Sequence, residues 1–336
     1  MINRASEKDK NNFNEKAVHP LQTWEWGEFR RQGGNKVIRF TSSRNDKIIN
    51  SYQLLIHSVP GIPYKIGSLI RGASPTKELT EILKSTAKDE KLLFIKLEPN
   101  ILSDQNTIDK LKSWGYSSGK TLFTPTSFWI DLTPTEEDLL KSFQSKTRYN
   151  IRLSKRKGVT VSENNSKKAF EKYIALTRET VERQKFHSHT ESYHRRMWKM
   201  LHLDMIKNNK KPIARLLTAR YKGKIITCWM VFVWKNFLYY PYGASTHKHK
   251  NVMANNLMMW EAIRYGKALG LKTFDLWGRE EGKGFTRFKE GYNPKVVKFI
   301  GTWDLITSPL YPLYRLLETF RWSLLKTKSK FTTPTF

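Results

Sequence analysis

The sequence is short of the residues that would hold a secreted or metal-built fold together. It has one cysteine, Cys228, in 336 residues, which excludes a disulfide framework and a cysteine-rich zinc fold. A lone thiol fits a reducing compartment, so a cytoplasmic location is expected. Long apolar runs are missing too. The longest, from Ile225 to Val233, is broken by Thr227, whereas a spanning helix needs about 20 residues. The first sixteen residues, MINRASEKDKNNFNEK, have no hydrophobic centre and do not read as a secretory signal. Residues 1–20 are therefore expected to be a flexible lead-in. Acid is scarce as well: 30 Asp and Glu stand against 60 Lys and Arg, a formal charge of +30.

What is present is enough for two ordinary cores. Hydrophobic residues make up 39% and aromatics 13%, so a mainly disordered chain is excluded, and the length suggests about two domains. The excess charge is uneven. Residues 1–150 carry 23 Lys/Arg and 17 Asp/Glu, a net of +6, and residues 151–336 carry 37 and 13, a net of +24. A field of that size attracts polyanions: nucleic acid, anionic lipid or a phosphorylated substrate. A lysine-rich composition throughout the source's proteins would explain the excess but not its concentration in one half.

Periodicity and punctuation place the elements. In the first half, residues 36–41, 48–59 and 64–70 read as strands, with Pro60, Gly61 and Pro63 between the last two. Pro75 opens a helical pattern over 76–88, and the run LLFIKL at 92–97 predicts a buried strand. A helix at 106–114 and a strand at 127–132 follow. The second half repeats the order: helices at 170–184 and 193–207, strands at 213–221, 224–234 and 236–242, a helix at 253–269, then the strand KTFDL at 272–276. Three strands, a helix and a buried strand, twice over, predict an α/β fold of two copies of one unit. That order is also the core order of the GNAT acyltransferases. The fold usually binds acetyl-CoA pyrophosphate on a glycine-containing loop at the entry to its central helix. Here that stretch, His247 to Ala254, contains no glycine, so coenzyme A is not the expected donor, and no other cofactor is expected.

Five stretches extend the likeness: Thr23–Arg30 (TWEWGEFR), Ser145–Arg152 running on to Lys157–Val159, Tyr242–Ser245 (YGAS), Ala262–Gly270 followed by Phe274–Gly278 (FDLWG), and Phe285–Gly291 (FTRFKEG). Together, and in this order, they resemble the Fem family of peptidoglycan bridge-forming aminoacyltransferases, most closely its short, armless FemX type. The resemblance spans about residues 20 to 320. It implies two tandem GNAT-like domains, here 21–145 and 146–308, with the C-terminal helix 309–326 packing back on the first. It also implies a reaction, in which aminoacyl-tRNA, as co-substrate, gives its amino acid to a stem-peptide side-chain amine. The acceptor is a peptidoglycan precursor, lipid II or UDP-MurNAc-pentapeptide. A monomer is expected.

The resemblance also assigns residues. Lys289, after Phe288, matches the family lysine beside the transferred acyl group. A fixed ammonium there stabilises the oxyanion that forms when an amine attacks an ester, and Phe288 supplies a wall or a backbone donor. The plain alternative is one surface lysine among many. Arg30 aligns with a phosphate-binding lysine of the family, and arginine can grip phosphate through two N–H groups. The family's second phosphate ligand, an arginine, is replaced by His189, with Arg183 or Lys185 available to take over. Glu98 stands where relatives have an acid facing the acceptor; its alternative is a strand-end carboxylate paired with a lysine. Tyr242 matches a position lining the acceptor channel. Asp275, in a strand that reads as buried, needs partners and is expected to hold the loop 277–284 rather than act as a base.

Other readings rest on the residues, with tRNA as the partner that the resemblance implies. From Lys141 to Lys157 there are seven basic residues and no acid, so Lys155, Arg156 and Lys157 are expected to meet the tRNA backbone; a solvated linker is the alternative. His187 and His189, and His247 and His249, lack a carboxylate or cysteine at ligand spacing, so no metal is expected. Cys228 reads as core. The amphipathic, basic stretch 309–326 has two readings, a domain-packing helix or a peripheral contact with the inner face of the cytoplasmic membrane. Two other function classes stay open: a GNAT-like N-acyltransferase using another acyl donor for an envelope component, and a basic nucleic-acid-binding protein without catalysis.

Overall fold

The computed structural model of the chain describes residues 1–184 and 188–328. Among these residues the chain forms two compact units. The first comprises Met1–Pro125 and returns from Lys298 onward, and the second begins at Thr126 and runs to Val297.

Each unit is built on a seven-stranded sheet. The first holds β1 (Ile2–Arg4), β2 (Lys36–Arg44), β3 (Lys47–Ser58), β4 (Lys65–Gly72), β5 (Leu92–Pro99) and β6 (Tyr116–Ser118). The second holds β7 (Thr126–Asp131), β8 (Thr160–Glu163), β9 (Ala214–Tyr221), β10 (Lys224–Trp234), β11 (Phe237–Ser245), β12 (Thr273–Asp275) and β13 (Lys295–Lys298). The last strand, β14 (Trp303–Ile306), goes back to the first sheet between β5 and β6. The strand orders are β1-β2-β3-β4-β5-β14-β6 and β13-β7-β12-β11-β10-β9-β8.

The repeat expected from element order is present. In the first sheet β2, β3 and β4 form an antiparallel run, the helix Lys77–Glu90 crosses over, and β5 lies parallel to β4. In the second sheet β9, β10 and β11 do the same, the helix Ala254–Ala268 crosses over, and β12 lies parallel to β11. Local chemistry explains the crossovers. Thr76 caps the first helix by accepting the Leu79 N–H, and Leu79, Leu83 and Ala87 recur at helical spacing on its buried face. Gly270, at φ +73°, turns the chain after the second. Each sheet carries its own core: Phe40, Tyr52, Leu54, Leu69 and Ile95 in the first, Phe128, Trp229, Trp260 and Phe274 in the second.

Strand β5 is buried along all eight residues, as a central strand should be, although it carries Lys96 and Glu98. Both are satisfied by what comes next in the chain. Lys96 Nζ bonds Asp304 Oδ1 of β14 at 2.7 Å and the Lys120 carbonyl at 2.9 Å. Glu98 Oε1 accepts the Leu122 N–H at 2.7 Å and the Thr302 hydroxyl at 2.5 Å. These bonds seat the returning strand. The helix Tyr311–Lys328 then packs on the first unit as expected: Tyr311 and Tyr314 lie 5.1 and 5.5 Å from the Phe94 ring, and the Tyr311 hydroxyl donates to Asp304 Oδ2 at 2.8 Å.

Several boundaries differ from the sequence reading. Residues 1–20 are not a loose lead-in: Ile2–Arg4 pairs with β2, and the helix Lys10–Lys16 buries Phe13. The first unit ends at 125 rather than 145, because β7 pairs with β12. It resumes at 298 rather than at the C-terminal helix, because β14 pairs with β5. Residues 145–156 form a helix that buries Thr147, Ile151 and Ser154, not a solvated linker. The expected helix 193–207 is interrupted by a π-helical turn at Lys199–Leu203. Among the described residues no helix is long and apolar enough to cross a membrane.

Removing one partner of the Lys96–Asp304 pair leaves a buried, uncompensated charge, which costs about 3–5 kcal/mol. Lys96→Met is therefore expected to lower the urea midpoint of the first unit's unfolding by a corresponding amount. An unchanged midpoint would show that the pair does not anchor β14.

Candidate active site

In the second unit β11 and β12 run parallel only over Phe237–Tyr239 and Thr273–Asp275. Beyond that β11 continues against β10 to Ser245, while β12 ends and its chain turns away. The strands thus part at their C-terminal ends, where α/β sheets open toward ligands.

Asp275, the last residue of β12, fixes the turn. Alternation along β7 puts Phe128 and Ile130 in the core and Ser127 and Trp129 on the other face. Ser127 Oγ donates to Asp275 Oδ1 at 2.6 Å, and Trp129 Nε1 donates to Oδ2 at 2.9 Å. The Trp277 N–H donates to Oδ1 at 2.8 Å, and Ser127 Oγ in turn accepts the Gly278 N–H at 3.0 Å. Trp277 and Gly278 both have positive φ, +59° and +97°, so the chain is held in a left-handed turn that a tryptophan would not adopt unaided. Asp275 is buried and meets donors on every side, which agrees with the loop-holding role expected of it.

The carbonyl of Gly278 receives Lys289. This lysine sits on the helix Gly284–Glu290, only 6% exposed, with Nζ 3.0 Å from Gly278 O. The ammonium also lies 5.0 Å from the Phe285 ring centre. The helix is placed by close packing: Gly291 leaves no room for a side chain, since a Cβ there would lie 2.4 Å from Thr147 Oγ1 of the helix Ser145–Arg156. Two of the motif stretches, 145–152 and 285–291, thus meet in space. Burial pushes the Lys289 amine down to about 8, opposed by the charges of Asp275 and Glu280. Near neutral pH it remains mostly an ammonium, with one backbone acceptor and two N–H groups to offer. A buried cation with a lowered pKa, held beside the turn that ends a sheet strand, is a candidate functional group.

Phe288 is half-buried, its ring 5.5 Å from Tyr292 and packed against the second core, and it points about 100° around the helix from Lys289.

Tyr242, His189 and Arg183 gather around β11. Tyr242 projects from β11, 4.9 Å from the His194 ring and 6.3 Å from His189. His189 stacks on Tyr193 at 3.9 Å. His194 bonds the Tyr173 hydroxyl at 3.0 Å and is held down to about 3 by burial and by His189, so it stays neutral. Arg183 Nη1 donates to the Ser245 carbonyl at 3.2 Å and lies 3.6 Å from Glu179. Lys185 and His187 lie outside the described residues.

The remaining assigned residues belong to the first unit or to the basic helix. Arg30, at the end of the helix Trp24–Gln32, donates from Nε to Asn35 Oδ1 at 3.1 Å. Asn35 Nδ2 contacts His57 Nδ1 at 2.9 Å, and His57 Nε2 contacts Ser68 Oγ at 2.8 Å. His57 is pushed down to about 4 by burial and by Arg30. Glu98 is buried and engaged by Leu122 and Thr302, neither facing open space nor paired with a lysine. Lys155 pairs with Glu261 at 3.5 Å, and Lys157 Nζ bonds the Asn251 carbonyl at 2.9 Å. Arg156 is exposed beside the Tyr149 ring, 6.0 Å away. Cys228 is buried, as read, and burial pushes its thiol up to about 12. Sequence reasoning missed Ser127 and Trp129; the signal was their i, i+2 spacing in a strand whose other face is apolar.

Comparisons with known proteins bear on this arrangement. The FemAB family model matches residues 5–206, and the acetyltransferase (GNAT) domain model matches residues 141–290. The chain is 23% identical to the lipid II:glycine glycyltransferase of Staphylococcus haemolyticus (strain JCSC1435), over 93% of this chain and 94% of that protein. It is likewise 23% identical to the Staphylococcus aureus protein of the same name, over 92% and 93%. Among solved structures, the crystal structure of FemX superposes with a TM-score of 0.80 at 19% identity, covering 93% of this chain and 99% of that one. A tandem GNAT protein from the clavulanic acid pathway superposes at 0.54, with 9% identity and 92% and 99% coverage. The fold is thus a pair of tandem GNAT-like domains.

The shifted lysine has a thermodynamic consequence. Unfolded, Lys289 titrates near 10.4; folded, near 8. Between those values the unfolded chain holds the extra proton, so stability rises with pH. The wild type is expected to gain about 3 kcal/mol from this group between pH 8 and pH 10.4. Lys289→Met should lack that gain, which unfolding curves across the pH range will show.

Proposed function

We propose, from the premise that this chain belongs to the FemAB family, that it transfers an amino acid from aminoacyl-tRNA to the stem-peptide side-chain amine of a peptidoglycan precursor. The acceptor is lipid II or its UDP-linked counterpart. The observation that carries the reading is Lys289, a buried ammonium whose Nζ bonds the Gly278 carbonyl in the turn that follows β12. Relatives covered over more than nine-tenths of their length are named as glycyltransferases acting on lipid II, which supports the acceptor class.

In the proposed reaction the acceptor amine attacks the ester carbonyl of the aminoacyl-tRNA. A C–N bond forms, and the carbonyl oxygen becomes an oxyanion. Lys289 stabilises that oxyanion through an N–H that needs no reorientation. The ester C–O bond then breaks, and the proton released by the amine passes to the leaving ribose oxygen. The substrate carries its own proton transfer, and Asp275, saturated by Ser127, Trp129 and the Trp277 N–H, is not a base in this scheme. A donor other than coenzyme A is supported by the entry to the helix Ala254–Ala268. It has Met253 rather than glycine at positive φ, and Asn251 is bonded by Lys157.

Arg30 on the first unit and, separately, Arg183 on the second are each offered as anion-binding groups for the acceptor, and Tyr242 lies 6.3 Å from the His189 ring. Glu98 is better read as seating the segments around Leu122 and Thr302, since its Oε1 is taken. The tRNA is assigned to the helix Ser145–Arg156, which exposes Lys146, Tyr149, Arg152 and Arg156 opposite its buried face, a basic surface with an aromatic set in it.

Incubating the protein with precursor and charged tRNAs should add the mass of one amino acid to the stem peptide, glycine, alanine or serine. A gain with an acyl-CoA but with no charged tRNA would instead establish the N-acyltransferase reading. Reversing Lys155, Arg156 and Lys157 should weaken tRNA binding and flatten its salt dependence, by roughly one unit of slope for each phosphate left unneutralised. Arg156 should account for most of it, because Lys155 and Lys157 already have partners. Equal affinity and slope at two salt concentrations would remove this helix from the tRNA interface. Arg30→Met should raise the acceptor's apparent KM and leave kcat unchanged.

A further inference from the structure

The first unit has an apolar surface that the proposed reaction does not use. The chain between β3 and β4 and the start of the helix Tyr311–Lys328 border a cleft of about 610 Å³. Its floor is Leu93 and Ile66; its walls include Ile62 on one side and Leu310, Leu313 and Leu317 on the other. These walls are open. Ile62 is 45% exposed, Leu313 54%, Leu317 58%, and Leu316 alongside 68%. The helix is held to the body by Tyr311 and Tyr314 against Phe94, which leaves its leucine face uncovered. Its described leucines recur at spacings of three and four, at 310, 313 and 317, a stripe of the kind that is buried against something.

We propose that this surface docks on an anionic lipid bilayer, with the leucine stripe and the Pro60–Pro63 tip entering the headgroup layer. Three observations select that occupant. The sequence over 309–336 has five Lys/Arg against one Glu, a net of +4, charge of the sign that anionic lipid attracts. The tip itself, residues 58–64 (SVPGIPY), has no charged side chain, and Pro60 and Pro63 have no N–H to offer a pairing strand. Solvent-facing turns are normally polar, and an apolar one with no strand to pair suits a lipid surface better than water. A second copy of the chain is disfavoured by charge, since each brings +30. The helix is too short of apolar residues to cross the bilayer, so it would lie in the interface.

The inference does not depend on the proposed reaction, and vesicle flotation tests it without substrate. The full chain is mixed with vesicles of phosphatidylglycerol and phosphatidylcholine, or of phosphatidylcholine alone. The wild type is expected to float with the anionic vesicles, less at high salt and at least tenfold less with the neutral ones. Leu313→Glu together with Leu317→Glu, and separately Ile62→Asp, should each weaken anionic binding at least tenfold while thermal melts stay within a few degrees of wild type. The Ile62 variant lies on a different element, so it keeps the test decisive if the helix variant unfolds. Wild type that does not float, folded variants that float as well as wild type, or a wild-type dimer in light scattering that either variant dissolves would each overturn the proposal.

Discussion

The Asp275 carboxylate is the constraint on which the geometry around Lys289 depends. It is buried, so it must be satisfied where it stands. The groups that satisfy it come from β7 and from the turn after β12. Meeting its needs therefore pins the chain at Trp277 and Gly278 in a left-handed geometry, and that geometry aims the carbonyl that receives Lys289. Because neutral donors satisfy Asp275, its charge is not cancelled by direct pairing. It remains available at longer range to favour the protonated form of a lysine that burial would otherwise neutralise.

The first domain meets a similar demand with a different result. Across its β5–β14 pair, Asp304 lies directly opposite Lys96, and the two form a buried ion pair. Across the β12–β7 pair of the second domain, Asp275 lies directly opposite Trp129, and the lysine comes instead from a helix eleven residues beyond Gly278. In one sheet the acid and base cancel and lock a returning strand in place. In the other they are held apart, so the cation still has N–H groups to offer. Both halves share an element order, and this difference in polar partners is one physical reason to place chemistry in the second.

Much of this was legible in the residues. Periodicity and turn residues located the strands and crossover helices of both copies, because those elements bury a continuous apolar face. The family motifs pointed to Lys289, and the burial of KTFDL predicted a structural Asp275. Short edge strands and those paired far along the chain were not legible. β14 has four residues, and its partner β5 is some two hundred residues away, so nothing local marks it. The destination of β7 could not be read either: SFWID looks the same whichever sheet receives it. Phe288 points about 100° around the helix from Lys289, so its ring packs toward Tyr292 while the lysine bonds Gly278. The basic run at 141–157 left a solvated linker open as an alternative because charge hid its pattern of Thr147, Ile151 and Ser154, which only the packed structure shows to be a buried face.

The central claim, that the Lys289 ammonium stabilises the oxyanion of aminoacyl transfer, is tested most directly by steady-state kinetics of Lys289→Met across pH with saturating substrates. Methionine keeps the stem and removes the charge. The account predicts that kcat falls by about 10²–10³-fold, the range for losing one oxyanion donor, with acceptor affinity little changed. It further predicts that the wild-type rate declines as pH rises through about 8, where Lys289 loses its proton, and that the variant's residual rate lacks that alkaline limb. A variant that turns over at the wild-type rate, or keeps the same alkaline decline, would contradict the assignment of Lys289 to the reaction.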